Sequence, residues 1–235
     1  MSTLNGTATN VVYQVVNLSD GGGASNLLIN PRGKINQAKE TAGVLTAGQY
    51  FCDGWKAGDA GAEVYIDADG FRLISGSIVQ LVPNSLDVGR KIRGNMDVIN
   101  GAPEIRINGV LGTATSDAAQ YIRFEVSGNN SKFARLVLAE SETPPVYQQS
   151  GDELTPCLRF LLRYDLNGNI YGTRDTASDS HLNITFGEMH SIPAVTTGGM
   201  VGTTQVYRVS KSRLSFIARF EYASVLNYIM LDARP

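Results

Sequence analysis

The chain has 235 residues, with 20 Lys plus Arg against 22 Asp plus Glu for a formal net charge of −2, and it is rich in turn formers, with 25 Gly and 8 Pro. That length buries a substantial core without staples, and the near-balanced charge argues against a polyanion-binding surface of the nucleic-acid type. With Cys52 and Cys157 as the only cysteines, and no CxxC or His/Cys cluster, zinc is not expected, and no apolar run approaches the roughly 20 residues that span a bilayer.

Residues 1–25 differ from the rest. Met1–Asn10 is polar and lacks the basic start and apolar run of a signal peptide, which predicts synthesis and assembly in a cytoplasm. A reducing compartment favours free buried thiols at Cys52 and Cys157 over a bridge. Val11, Val12, Tyr13, Val15 and Val16 form a β-branched run, tethered by the Gly-rich Asp20–Ser25. The pair reads either as an attachment arm that adds a strand to a neighbouring subunit or particle, or as the first strand of the domain that follows.

Over residues 26–142 the pattern is one β-domain. Predicted strands are Leu27–Asn30, Gly48–Trp55, Ala62–Asp67, Phe71–Ser75, Ile78–Val82, Lys91–Ile99, Pro103–Asn108, Tyr121–Val126 and Phe133–Leu138. Strict alternation in Glu104–Asn108 and Tyr121–Val126 puts one face inside and one in water. Turns at Asp69-Gly70, Asn100-Gly101 and Gly128–Asn130 separate the runs, and this many antiparallel strands fit a jelly roll.

Residues 143–152 carry Pro144-Pro145 and the turn Ser150-Gly151-Asp152, and read as a connection. Residues 153–235 follow as a second, smaller β-domain. Its predicted strands are Leu158–Tyr164, Asn169–Thr173, His181–Phe186, Ala194–Thr197, Thr204–Ser210, Leu214–Tyr222 and Tyr228–Asp232. Leu158–Tyr164 lacks alternation and keeps a helical turn as its alternative. The fold class expected is therefore all-β, a jelly-roll β-sandwich followed by a second β-domain. Leu214–Tyr222 and Tyr228–Leu231 carry more apolar residues than one face of a small domain buries, which predicts a homo-oligomer.

Several residues are candidates for chemistry. Trp55 is the sole tryptophan; with Tyr50 and Tyr65 it is the candidate ligand-binding set, since an aromatic face stacks on sugar C–H groups. A core aromatic is the other reading of Trp55. Asp53, Asp59, Glu63 and Asp67 are near in sequence, but turn or edge carboxylates explain them better than a glycosidase pair. His181 and His190 lack a nucleophile motif nearby. Asp165–Asn169 imitates the start of a calcium loop, yet Thr176 stands where a bidentate Glu is required, so a hairpin turn is expected. Arg90, Lys91 and Arg93 read as a solvated strand edge. No catalytic residue, metal or cofactor is expected.

Four separated stretches carry a resemblance. Asn26-Leu27-Leu28-Ile29-Asn30 is followed by Gln37 and Asp53-Gly54-Trp55; Leu136, Leu138, Thr143 and Pro144 precede Glu153, Leu154, Cys157, Arg159, Phe160 and Tyr164; then come Phe186–Val195 (FGEMHSIPAV) and Ile229–Ala233. In order and spacing this resembles tailed-bacteriophage fibre and virion proteins with a jelly roll like that of carbohydrate-binding modules. The chain departs from them where Pro31-Arg32-Gly33 replaces Gly-Asx-Phe, where Arg is missing before Trp55, and where His190 stands for Arg. The resemblance implies a non-enzymatic virion structural protein of the tail-fibre or spike type, assembled in the host bacterial cytoplasm. It implies other virion proteins as partners, a trimer as the form of the homo-oligomer and host surface glycans as candidate ligands, while the charge and hydropathy above leave no nucleic acid and no membrane insertion expected. A head decoration or head-fibre protein and a polysaccharide-degrading tailspike are the alternatives.

Overall fold

The computed structural model describes residues 25–166, 179–198, 202–220 and 226–235. The arm residues Val11, Val12, Tyr13, Val15 and Val16 and the predicted strand Asn169–Thr173 lie outside them. The chain is all-β, a β-sandwich of jelly-roll type followed by smaller sheets.

The sandwich is built from β1 (Gly43–Leu45), β2 (Tyr50–Cys52), β3 (Trp55–Asp67), β4 (Gly70–Pro83), β5 (Lys91–Asn100), β6 (Glu104–Ile107), β7 (Val110–Leu111), β8 (Thr113–Thr115), β9 (Tyr121–Ser127) and β10 (Ser131–Glu140). They form one antiparallel sheet in the order β7-β6-β9-β4-β10-β5-β8, with β3 against β4 and both β1 and β2 on β3. The sheet folds over on itself because β4 belongs to both layers. Its Ser77–Pro83 half pairs with β9, and its Phe71–Leu73 half pairs with β10. Sequence reasoning divides this strand into Phe71–Ser75 and Ile78–Val82; the structure joins them, since Gly76 turns the corner without ending the ladder.

That corner needs glycine. Gly61 and Gly76 have φ of +80° and +82°, and a Cβ on Gly76 would stand well inside van der Waals contact distance of the Gly61 carbonyl oxygen. The layers then close on Phe51, Trp55, Phe71, Phe124 and Phe133, all without exposed surface. Trp55 meets Phe71 edge-on at 5.4 Å, and Phe71 stacks on Phe133 at 5.8 Å.

Two other departures have physical reasons. Leu27–Asn30 is not a strand: after one bond from Leu27 N to Leu138 O, side-chain amides, described below, take up the hydrogen bonds that a neighbouring strand would. The predicted strand Leu158–Tyr164 is a short helix α1 (Leu154–Leu158) followed by β11 (Leu161–Asp165). Asp152 accepts the N–H groups of Leu154 and Thr155 at 3.0 and 2.9 Å, and Pro156 sits in the first turn, where an N–H has no intrahelical use.

The remaining strands are β12 (Asp179–Thr185), β13 (Ala194–Gly198), β14 (Gly202–Val209), β15 (Arg213–Phe220) and β16 (Tyr228–Asp232). They make two three-stranded sheets, β11-β16-β13 and β12-β15-β14, around Phe186, Met189, Leu214, Leu226, Ile229 and Leu231. Leu214, Ile229 and Leu231, part of the apolar surplus read from the sequence, are thus satisfied within this second core. Exposed apolar side chains among the described residues include adjacent pairs at Val98 and Ile99 on β5 and at Val110 and Leu111 on β7, besides single ones such as Val44, Val146 and Ile192.

The corner generates a test. Gly89 shares a positive φ of +91° but has open space around it, so Gly89→Ala should cost only about 1–2 kcal/mol for the backbone conformation. Gly76→Ala should cost roughly 3–4 kcal/mol or more, because the Gly61 carbonyl must also move. Chemical denaturation of both variants gives the comparison; equal unfolding midpoints would show that the corner does not depend on the close approach.

Candidate functional site

The densest set of buried polar groups lies where the chain enters the sandwich and where its last strand packs back against it. It starts with side-chain amides. The Asn26 amide donates to Leu136 O at 2.9 Å and its oxygen accepts from Leu138 N at 3.0 Å, so it stands beside β10 as a peptide of a neighbouring strand would. Gln80, on β4, does the same for Ile29: its oxygen accepts Ile29 N at 2.8 Å and its amide donates to Ile29 O at 3.0 Å. Asn30 pairs both ways with Ile35, at 2.9 and 2.8 Å, and reaches Asp53 O at 3.0 Å. Each amide supplies donor and acceptor at the spacing of a peptide group, which is why Asn and Gln serve here and a carboxylate would not.

From this frame the contacts run outward to the second core. Trp55 donates Nε1–H to Asn30 O at 2.8 Å. Asp53, 1% exposed, accepts Gln37 N at 2.8 Å and Gln37 Nε2 at 2.6 Å, while Gln37 Nε2 also donates to Leu161 O on β11 at 2.8 Å. Burial pushes the Asp53 carboxyl above the usual range against the lowering effect of those Gln37 donors. Arg32 and Tyr147 both donate to Glu153, at 2.9 and 3.0 Å, which anchors the connection before α1.

The end of β16 closes the joint. Arg234 forks onto Asp232 at 3.0 and 2.8 Å, reaches Glu40 at 2.8 Å, and lies 4.0 Å over the Tyr50 ring, with its side chain only 5% exposed. Burial raises the Glu40 carboxyl, an effect opposed by Arg234, and burial holds the Tyr50 hydroxyl up at about 12. Tyr50 and Lys56 donate to the Pro235 oxygen at 2.6 and 2.7 Å. His190 sits between Phe160 and Tyr121, its Nε2 2.8 Å from the Tyr121 hydroxyl. Burial lowers its pKa, aided by Arg159 and Lys211.

The sequence-derived ligand set is not brought together. Trp55 has no exposed face on which a sugar could stack and is the core aromatic of the alternative reading. Tyr50 lies beneath Arg234, and Tyr65 points its hydroxyl at Glu63 with Arg72 over its ring at 4.5 Å. The four neighbouring carboxylates also part company: Asp53 meets Gln37, Asp59 meets Arg123, Glu63 meets Tyr65, and Asp67 meets Arg72 and Lys132. Arg90 and Lys91 pair with Glu140 and Glu142. Cys52 and Cys157 are free and buried, their thiols pushed up by burial, Cys157 to about 12. The side chain of His181 and residues 167–169 of the calcium-like turn lie outside the described residues. Among the described residues no cluster of His, Cys, Asp and Glu is arranged to hold a metal, and no helix is long and apolar enough to cross a membrane.

A cleft of about 360 Å³ opens beside the joint between Asn26–Pro31 and Val146–Pro156. Its Asn26, Asn30, Asp152 and Glu153 groups are engaged in the bonds above, which makes it a seam of the joint. Arg234 and Glu40 were missed by sequence reasoning; an Arg near Asp232 at the edge of an apolar strand carries no pattern that separates it from a solvated one. No family model, no curated protein and no solved structure matches the chain.

Two outcomes are expected. Arg234→Met keeps the aliphatic stem but leaves Glu40 and Asp232 facing each other in a mostly buried place, and should cost about 3–4 kcal/mol in denaturant unfolding. His190 has a folded pKa below its ordinary 6.5, so the unfolded chain binds more protons at mildly acid pH. Its contribution is present above pH 6.5 and is lost as pH falls from 6.5 through the lowered value. Stability measured across that range should show this slope in the native chain and lose it in His190→Gln; identical slopes would exclude the histidine.

Proposed function

We propose that the chain is a non-enzymatic structural protein of a tailed-bacteriophage virion, a subunit of a fibre- or spike-type projection. One observation carries the reading: the stretches that resemble such proteins, far apart in sequence, converge on the joint. Asn26 and Asn30 hold β10 and Trp55, Gln37 links Asp53 to β11, Glu153 receives Arg32, and Arg159 and Phe160 accept His190 N and Ala233 N at 2.7 Å each. The resembling residues therefore do one mechanical task, locking two β-cores together. A projection loaded along its length needs such a joint.

Homo-oligomerisation, with three-fold symmetry expected, belongs to the same proposal, and the exposed Val98, Ile99, Val110 and Leu111 support it. Partners are other virion proteins, and the ligands of the projection are host surface glycans.

Electron cryomicroscopy of particles from the lysate of the host that carries the gene should place the chain in a projection from the tail. Density on the head surface would assign it to decoration instead, and particles lacking the chain would overturn the virion reading. Incubation with host capsule or lipopolysaccharide should release no oligosaccharide; release would make it a depolymerising spike.

A further inference from the structure

From the outer face of the β12-β15-β14 sheet we infer a binding site for an acidic glycan, a sugar polymer bearing carboxylate or phosphate groups. Alternation decides which residues face out. Ile184, Val209 and Leu214 pack into the second core, so Asn183, Thr185, Arg208, Arg213 and Ser215 take the opposite face. Register then assembles them: Asn183 pairs with Ser215, Ser215 with Arg208, and Thr185 with Arg213. Together with Ser210 and Ser212 of the β14–β15 turn they line a hollow of about 520 Å³ in which every lining side chain is polar.

The two arginines set the sign of the ligand. Elsewhere Arg72, Arg90, Arg106 and Arg135 each face a carboxylate, while the exposed Arg159 alone shares with this sheet the lack of an ion pair among the described residues. Arg208 and Arg213 have no such partner among the described residues. The sequence explains why: from Met189 to Phe220 there is no Asp or Glu, while Arg208, Lys211 and Arg213 fall at one end of the sheet, and Asp179, the acid of β12, is in register with Arg219 at the other, in a chain whose net charge is −2. The near-balance of the whole conceals a cationic patch.

Geometry and chemistry favour a sugar. Arg208 and Arg213 lie on adjacent strands one row apart, so their Cα atoms are about 8 Å from each other, from strand spacing and rise. Two guanidinium forks at that distance engage acidic groups on one ring or its neighbour, while Asn183, Thr185 and Ser215, whose side chains make no bond among the described residues, are left to meet hydroxyls. A duplex nucleic acid would want a broad positive field, which the remainder of this acidic chain does not supply.

The site rests on the projection reading only for the source of the glycan, and its test is made on the purified full chain. Fluorescein-labelled oligogalacturonate and a phosphorylated oligomannose serve as acidic probes, with maltohexaose as the neutral one and a short DNA duplex as competitor. The native chain should bind at least one acidic probe and not maltohexaose. Arg208→Ala with Arg213→Ala should weaken that binding by about tenfold or more. Arg106→Ala with Arg135→Ala, which removes the same charge from paired positions, should leave it unchanged. Failure to bind either acidic probe, equal binding by the two double variants, or displacement by DNA at equal or lower concentration would each overturn the assignment. Microscopy of particles is indifferent to these variants, so a chain missing from virions would remove the projection reading while leaving a measured glycan site in place.

Discussion

A peptide group taken out of water must find both a donor and an acceptor, and the segment Asn26–Asn30 meets that demand without joining a sheet. Asn26, Asn30 and Gln80 supply amides in place of strands. Gln80, at 3% exposure inside a sandwich, would be destabilising by itself; bonded at both ends to Ile29 it fixes where the chain enters the fold. Asn30 then presents its carbonyl to Trp55 and its amide to Asp53, and Asp53 holds Gln37 against β11. Losing one amide would leave main-chain groups unpaired on both sides of it, and the second core would lose its seat.

The cluster at Arg234 works by a different balance. Two carboxylates, Glu40 and Asp232, flank one guanidinium, and the Tyr50 ring covers its face. Burial works against each charge, and the pairing offsets that cost only while all three remain in place. Such an arrangement contributes little net stability compared with apolar packing but admits one docking geometry, which suits a joint better than a greasy contact would.

Much of the sandwich was legible because alternation is a property of residues alone. Tyr121–Val126 reads correctly, with Ile122, Phe124 and Val126 inside, and Asp69-Gly70 marks the β3–β4 turn. What was not legible depends on which distant group answers a main-chain bond. Leu27–Asn30 looks like a strand in composition, yet only Leu27 N bonds a strand carbonyl, that of Leu138, while Leu28 and Ile29 bond the side chains of Asn26 and Gln80. Leu154–Leu158 shows helix signals in Asp152 and Pro156, but the apolar run through Tyr164 masks them. Of the candidate site, Trp55 takes the core reading that its sequence left open, whereas Tyr50 owes its place to Arg234, a contact across most of the chain that no local pattern reports.

That last contact bears on the order in which the protein is made. Glu40 and Tyr50 belong to the part of the chain synthesised early, and Arg234 and Pro235 emerge from the ribosome almost two hundred residues later. The sandwich has its own aromatic core and can form first, but the closing bonds wait on the loop-closure entropy of the almost two hundred residues between their partners. Until then the Tyr50 ring and the Glu40 carboxylate stay open to solvent. A nascent chain stopped short of Arg234 would thus hold a formed first core with an unlatched second one, and the latch itself records that translation reached it.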